Sequence, residues 1–170
     1  MGDVAMLRAC RLALLGTAVL IPAAQAADDV GSGRRVQSVT TIQSVPVGDA
    51  PGHEMGVVGF AGLTFFANGE IATHENPATF DLTEGSGPHQ GWVVHTFDDG
   101  STAVERYQGH ATLTDGGGKT VVEGTFTCEG GSGRFAGLKG EGTYRGERFG
   151  RLAAGADAYV DFDGSCTVSE

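Results

Sequence analysis

The chain has 170 residues, 40% of them hydrophobic and 19% charged, which is enough apolar material for a packed core and too much charge balance toward acid for a nucleic-acid binder. Its formal charge of −10, from 21 acidic against 11 basic residues, repels phosphate backbones and anionic lipid surfaces. Nucleic acid and lipid headgroups are therefore excluded as partners.

Residues 1–26 read as a signal peptide. Arg8 and Arg11 form a positive start, Leu12 to Ile21 is an uncharged apolar run, and Ala24-Gln25-Ala26 is an A-x-A cleavage pattern. The run is shorter than the ~20 residues that a membrane span needs. Cleavage after Ala26 predicts export to the periplasm or the extracellular space, with no membrane attachment afterwards. It removes Cys10 and, with Asp3, Arg8 and Arg11 gone, leaves nine basic against twenty acidic residues. Residues 27–34 are expected to be a disordered tail. Residues 35–170 are the size of one domain.

No mature segment carries a helical spacing of apolar residues. Runs of β-branched and aromatic residues alternate with turn signals instead. Eight strands are predicted, near 35–44, 54–67, 70–83, 89–98, 101–114, 119–129, 140–149 and 157–168. Asn68-Gly69 and Asp99-Gly100 each separate two such runs, and both are dipeptides of tight hairpin turns. Even spacing and consecutive hairpins define an all-β fold: an eight-stranded antiparallel up-and-down β-barrel.

The stretch Gly130 to Gly142, GGSGRFAGLKGEG, has six glycines. A phosphate-binding loop needs a following helix, but TYRGERF alternates like a strand. The stretch is read as a barrel corner, with Phe135 plugging the end. Cys128 and Cys166 are the only cysteines of the mature chain, 38 positions apart. In an oxidising compartment they are expected to form a disulfide worth about 3–4 kcal/mol.

Treating both turn dipeptides as two-residue loops sets Leu63 opposite His74, Trp92 opposite Tyr107 and His89 opposite His110. Period-two alternation then sorts the faces. The interior is expected to hold Leu63, Phe65, Asn76, Phe80, Trp92, Tyr144 and Phe162 as ligand-binding residues. Val58, Phe60, Phe66 and Ile71 are expected to form an outer apolar patch, the usual mark of an oligomer interface. Glu105, His74 and Tyr107 are the candidate catalytic groups, because a buried carboxyl with a raised pKa makes a general acid; pairing of Glu105 with Arg106 or Arg145 is the structural alternative. His89, His110 and a third donor (His95 or Glu123) suit a zinc geometry, but HxH, CxxC and HExxH are all lacking, so no metal is assigned. No motif implies a cofactor, and no Gly-x-Ser-x-Gly elbow or Cys/His pair supports a hydrolase.

FTCEGGSGRFAGLKGEGTY resembles the corner signature of the allene oxide cyclase and dirigent barrel superfamily, most of all its exported bacterial members. The hairpin FDDGSTAVERYQG and the run GVVGFAGLTFFANGEIAT add to the resemblance, which covers roughly residues 36–168. It implies an eight-stranded barrel with an apolar internal cavity, often assembled as a trimer. The plant cyclases close a ring in an unsaturated fatty-acid epoxide, using a first-strand carboxylate and a pocket Asn; dirigent relatives orient phenoxy radicals. Here the first strand, VQSVTTIQSV, has no Asp or Glu, so the resemblance carries the fold and the cavity and leaves the reaction behind. The leading expectation is an exported barrel that binds a small apolar molecule. The alternatives are an isomerase or cyclase acting on a lipid-like or polyketide-like substrate, and a non-enzymatic interaction protein using its outer patch.

Overall fold

A computed structural model describes residues 29–150, 152 and 157–168. Its strands are β1 (Gly33–Pro46), β2 (His53–Phe66), β3 (Ile71–Thr83), β4 (Gly87–Thr96), β5 (Thr102–Thr114), β6 (Lys119–Ser132), β7 (Leu138–Phe149) and β8 (Asp157–Val168). Each pairs antiparallel with the next, and β1 returns to β8 to close the barrel. Closure runs through Gly33 to Ser38; the second half of β1 pairs with β2 alone. The expected leader, residues 1–26 with Cys10, lies outside the described residues. Of the stretch expected as a tail, residues 29–32 lie against the barrel end, and Gly33 and Arg34 begin β1. Val30 is buried, and the Asp29 carboxylate accepts the backbone N–H groups of Gly31 and Cys166, each at 2.9 Å.

Both turn dipeptides do lie in hairpin loops, but each loop has three residues. Phe66 N–H donates to Glu70 O across Ala67-Asn68-Gly69, and Phe97 N–H donates to Ser101 O across Asp98-Asp99-Gly100. Gly69 (φ +92°) and Gly100 (φ +79°) take the left-handed last position that such loops require. The extra residue shifts the register by one. Leu63 therefore pairs with Thr73, Trp92 with Arg106 and His89 with Gly109.

A one-residue shift turns a strand over, and β2 and β4 are reversed relative to the expectation. Leu63, Phe65 and Trp92 point outward, 43%, 43% and 46% exposed, so they do not line the interior. Val58, Phe60 and Phe66 pack into the core instead of forming an outer patch; of that group only Ile71 is outside. The exposed apolar residues of this face are Val36, Leu63, Phe65 and Ile71, joined by the pairs Val36–Leu63 and Phe65–Ile71. The His89–His110 pair of the zinc reading does not exist, since His110 stands opposite Pro88.

The two barrel ends differ. At one, the loops after β2, β4 and β6 meet the N-terminal segment. Phe135 is fully buried in the corner Gly130 to Gly142, its ring 4.6 Å from that of Phe97. Arg134 lies over both rings and reaches Asp99 and Glu70 in the two neighbouring loops, at 3.2 and 2.6 Å. Cys128 and Cys166 stand at disulfide distance, Cα atoms 6.1 Å apart. Gly140 of β7 lies between them in the ladder, so the bridge straps β6 to β8 over a residue with no side chain. That end is a packed plug. The other end, with the β1–β2, β3–β4, β5–β6 and β7–β8 connections, holds a cavity.

Candidate functional site

Between plug and cavity lies a layer of buried polar side chains, one or two from each of β1 to β5. Alternation puts Arg35 and Gln37 on the inner face of β1, Thr64 on β2, His74 and Asn76 on β3, His95 on β4, and Glu105 and Tyr107 on β5. All are at least nine-tenths buried. Arg35 donates to Glu105 Oε2 at 2.8 Å, and Glu105 Oε1 meets His95 Nε2 at 3.0 Å. Thr64 Oγ1 joins His95 Nδ1 to His74 Nδ1, at 3.1 and 2.9 Å. Gln37 Oε1 takes His74 Nε2 and Asn76 Nδ2, and the Tyr107 hydroxyl donates to Asn76 Oδ1 at 2.7 Å. The chain of hydrogen bonds is continuous from Arg35 to Tyr107.

The structure thus gathers the three expected catalytic groups into one network, but changes what they can do. Burial pushes the Glu105 carboxyl up; the adjacent Arg35 guanidinium and His95 outweigh it and hold the carboxyl at about 2. A carboxylate that stays ionised at neutral pH is no general acid, so the raised pKa expected for Glu105 is reversed. Its ion-pair partner is Arg35, not Arg106 or Arg145. Arg145 instead pairs with Glu123 across β6 and β7. His74 is kept neutral, lowered to about 3 by burial and by the neighbouring His95 and Arg35. Both of its ring nitrogens are engaged within the layer. Tyr107, pushed up to about 12 by burial, remains a neutral phenol.

Beyond this layer is a cavity of about 60 Å³. Its floor is Arg35, Gln37, Asn76 and Tyr107, and its walls are mostly apolar: Val58, Phe60, Ala78, Phe80, Leu82, Ala111, Val122, Leu152 and Val160. Four further polar residues line it: Thr79, His89, Tyr144 and Arg148. Apolar walls with a few convergent polar groups are the usual make-up of a small-molecule site. A second, wider concavity of about 840 Å³ shares Thr79, Phe80 and His89 with the first.

Local sequence explains how Tyr144 reaches its place. Gly109 and Gly124 pair across β5 and β6, and a Cβ on Gly124 would stand 2.7 Å from the Tyr144 hydroxyl. Two side-chain-free residues therefore make room for the phenol tip, which contacts His89 Nε2 at 2.7 Å. His89 is held neutral, near 4, by burial first and then by the nearby Arg148 guanidinium. Arg148 is lowered to about 10 by burial.

Of the residues expected to bind a ligand, Asn76, Phe80 and Tyr144 line the cavity. Phe162 is buried among the rings of Phe66 and Phe126 and beneath Arg35, away from the cavity wall. Leu63, Phe65 and Trp92 are outside. Glu105 and His74 lie behind the floor and do not line the cavity. Sequence reasoning missed Arg35, Gln37 and Arg148, and considered His89 only as a zinc donor. The signal for Arg148 was present, because it shares the inner face of β7 with Tyr144 at a spacing of four. Among the described residues, no group of three or more His, Cys, Asp or Glu side chains is placed to hold a metal ion.

The class that this architecture defines is a closed eight-stranded up-and-down antiparallel barrel with a polar mid-layer and a cavity at one end. Comparison of the chain with protein-family models, with curated proteins and with solved structures finds no match.

Proposed function

We propose that this protein binds a small, mostly apolar molecule in the cavity at the open end of the barrel. The observation that carries the reading is the composition of that cavity, with nine apolar wall residues set against a floor of Gln37, Asn76, Tyr107 and the paired Arg35. Its volume of about 60 Å³ suits a ligand smaller than benzene, which fills a cavity of about 150 Å³. A long-chain lipid would need the walls to move.

The allene oxide cyclase and dirigent resemblance fits this reading in architecture, and Asn76 stands in the cavity as a pocket Asn would. Its first-strand acid has no counterpart, since β1 offers Arg35 and Gln37 to the interior. The isomerase alternative has lost its proton donor, because Glu105 is committed to Arg35 and His95. Export is part of the proposal; the cysteine pair at disulfide distance supports it. Self-association, as a trimer or otherwise, would use the exposed face of Val36, Leu63, Phe65 and Ile71.

Native mass spectrometry of the mature protein purified from its own host tests the binding reading. An adduct of low mass, lost on denaturation, is expected. A clean apo mass, together with no saturable binding of small apolar probes, would overturn it.

A further inference from the structure

The cavity holds hydrogen-bond donors that no acceptor among the described residues takes up. Arg148 is only 7% exposed, and among the described residues its guanidinium makes a single hydrogen bond, from Nη2 to Thr120 Oγ1 at 3.1 Å. Its Nε–H is buried without a partner, and no carboxylate among the described residues pairs with it. Buried guanidinium groups are ordinarily matched by a carboxylate, as Arg35 is by Glu105.

The neighbouring pair adds a second donor. His89 Nε2 lies 2.7 Å from the Tyr144 hydroxyl, while His89 Nδ1 is buried with no partner. If the phenol donates to Nε2, the proton of the neutral imidazole is on Nδ1 and is unused. If Nε2–H donates to the phenol oxygen, the phenol proton is unused. Either tautomer leaves one spare donor. Arg148, His89 and Tyr144 all face the same cavity.

We infer that the ligand is a small carboxylate with an apolar body, its anionic oxygens received by Arg148 and by the spare donor of the His89–Tyr144 pair. This deepens the proposed function and rests on it. A carboxylate brings acceptors for these spare donors, and the planar guanidinium suits its two oxygens. The apolar body lies against Val58, Phe80, Val122 and Val160.

The test is an NMR titration of the full mature protein with propionate and butyrate, against propionamide and butyramide of nearly the same shape. Charge-assisted recognition predicts that the carboxylates bind about 10–100-fold more tightly than the amides. It also predicts a shift of the Arg148 Nε–H resonance on binding, and loss of the preference in Arg148→Gln. Equal affinity for acids and amides would overturn the carboxylate inference and leave the apolar-ligand reading standing. A preference that survives Arg148→Gln would overturn it too. If neither set binds saturably, both readings fall. Should Arg148→Gln not fold, the wild-type resonance decides: an Arg148 Nε–H signal unmoved by saturating propionate overturns the inference.

Discussion

Arg35 and Arg148 are both more than nine-tenths buried inside the same barrel, yet one is matched and the other is not. Arg35 meets the Glu105 carboxylate at 2.8 Å, within a network that runs unbroken through His95, Thr64, His74, Gln37 and Asn76 to Tyr107. Arg148 has one hydroxyl from Thr120. The matched layer ties five consecutive strands together, and a satisfied polar network of that kind enforces a single register. The unmatched end keeps donors in reserve. The difference separates a part of the interior that holds the fold from a part suited to holding something else.

The largest effect is expected in the matched layer. Glu105→Gln leaves Arg35 buried without its counter-charge and is expected to cost about 3–5 kcal/mol. Urea unfolding measures it, and a loss below about 1 kcal/mol would break the contrast between the two regions. At the plug end, replacing Cys128 and Cys166 together by Ala is expected to cost about 2–4 kcal/mol, with a thiol count on the denatured wild type checking the bond itself.

Acid should act next. His74 and His89 are held neutral, at about 3 and about 4, whereas the unfolded chain takes up protons near 6.5. Their folded values are depressed, so the unfolded state binds more protons as the pH drops. Stability is therefore full above about pH 6.5 and declines below it, by roughly 1–2 kcal/mol per pH unit. The Glu105 contribution has the same sign at lower pH: it is present above the ordinary value of 4.5 and is lost as the pH falls toward about 2. Denaturation midpoints measured across this range check the slope, and a flat profile from neutral pH to about 5 would contradict the buried neutral histidines.

The smallest effects belong to the outer face. Leu63→Ala and Trp92→Ala remove half-exposed side chains and are expected to change stability by less than about 0.5–1 kcal/mol, unlike Phe66→Ala or Val93→Ala on the inner faces of the same strands. Equal losses in the two sets would restore the register in which Leu63 and Trp92 face inward.

Strand number, order and closure were legible in the sequence because turn dipeptides and alternation report local geometry directly. The corner Gly130 to Gly142 was legible for the same reason: Phe135 and Leu138 are the only large apolar residues in a glycine run. Register was not. Asn68-Gly69 and Asp99-Gly100 serve equally as a whole two-residue loop or as the last two positions of a three-residue one, and the choice inverts the partner strand. The strands after the turns, β3 and β5, were assigned the correct face, so His74, Asn76, Glu105 and Tyr107 were found. The strands before them, β2 and β4, were not, and Thr64 and His95 were lost with them. The charge state of Glu105 was beyond reach for another reason. Its partner Arg35 is 70 positions away in β1, and only barrel closure brings them together.

The most direct test of the division is the urea unfolding of Arg35→Met beside Arg148→Met. Removing Arg35 strands the Glu105 carboxylate, so a loss of about 3–5 kcal/mol is expected. Removing Arg148 deletes a buried cation that has no counter-charge among the described residues, so that variant is expected to be as stable as wild type to within about 1 kcal/mol, or more stable. Equal and large losses in the two variants would contradict the account, because Arg148 would then hold the barrel together as Arg35 does.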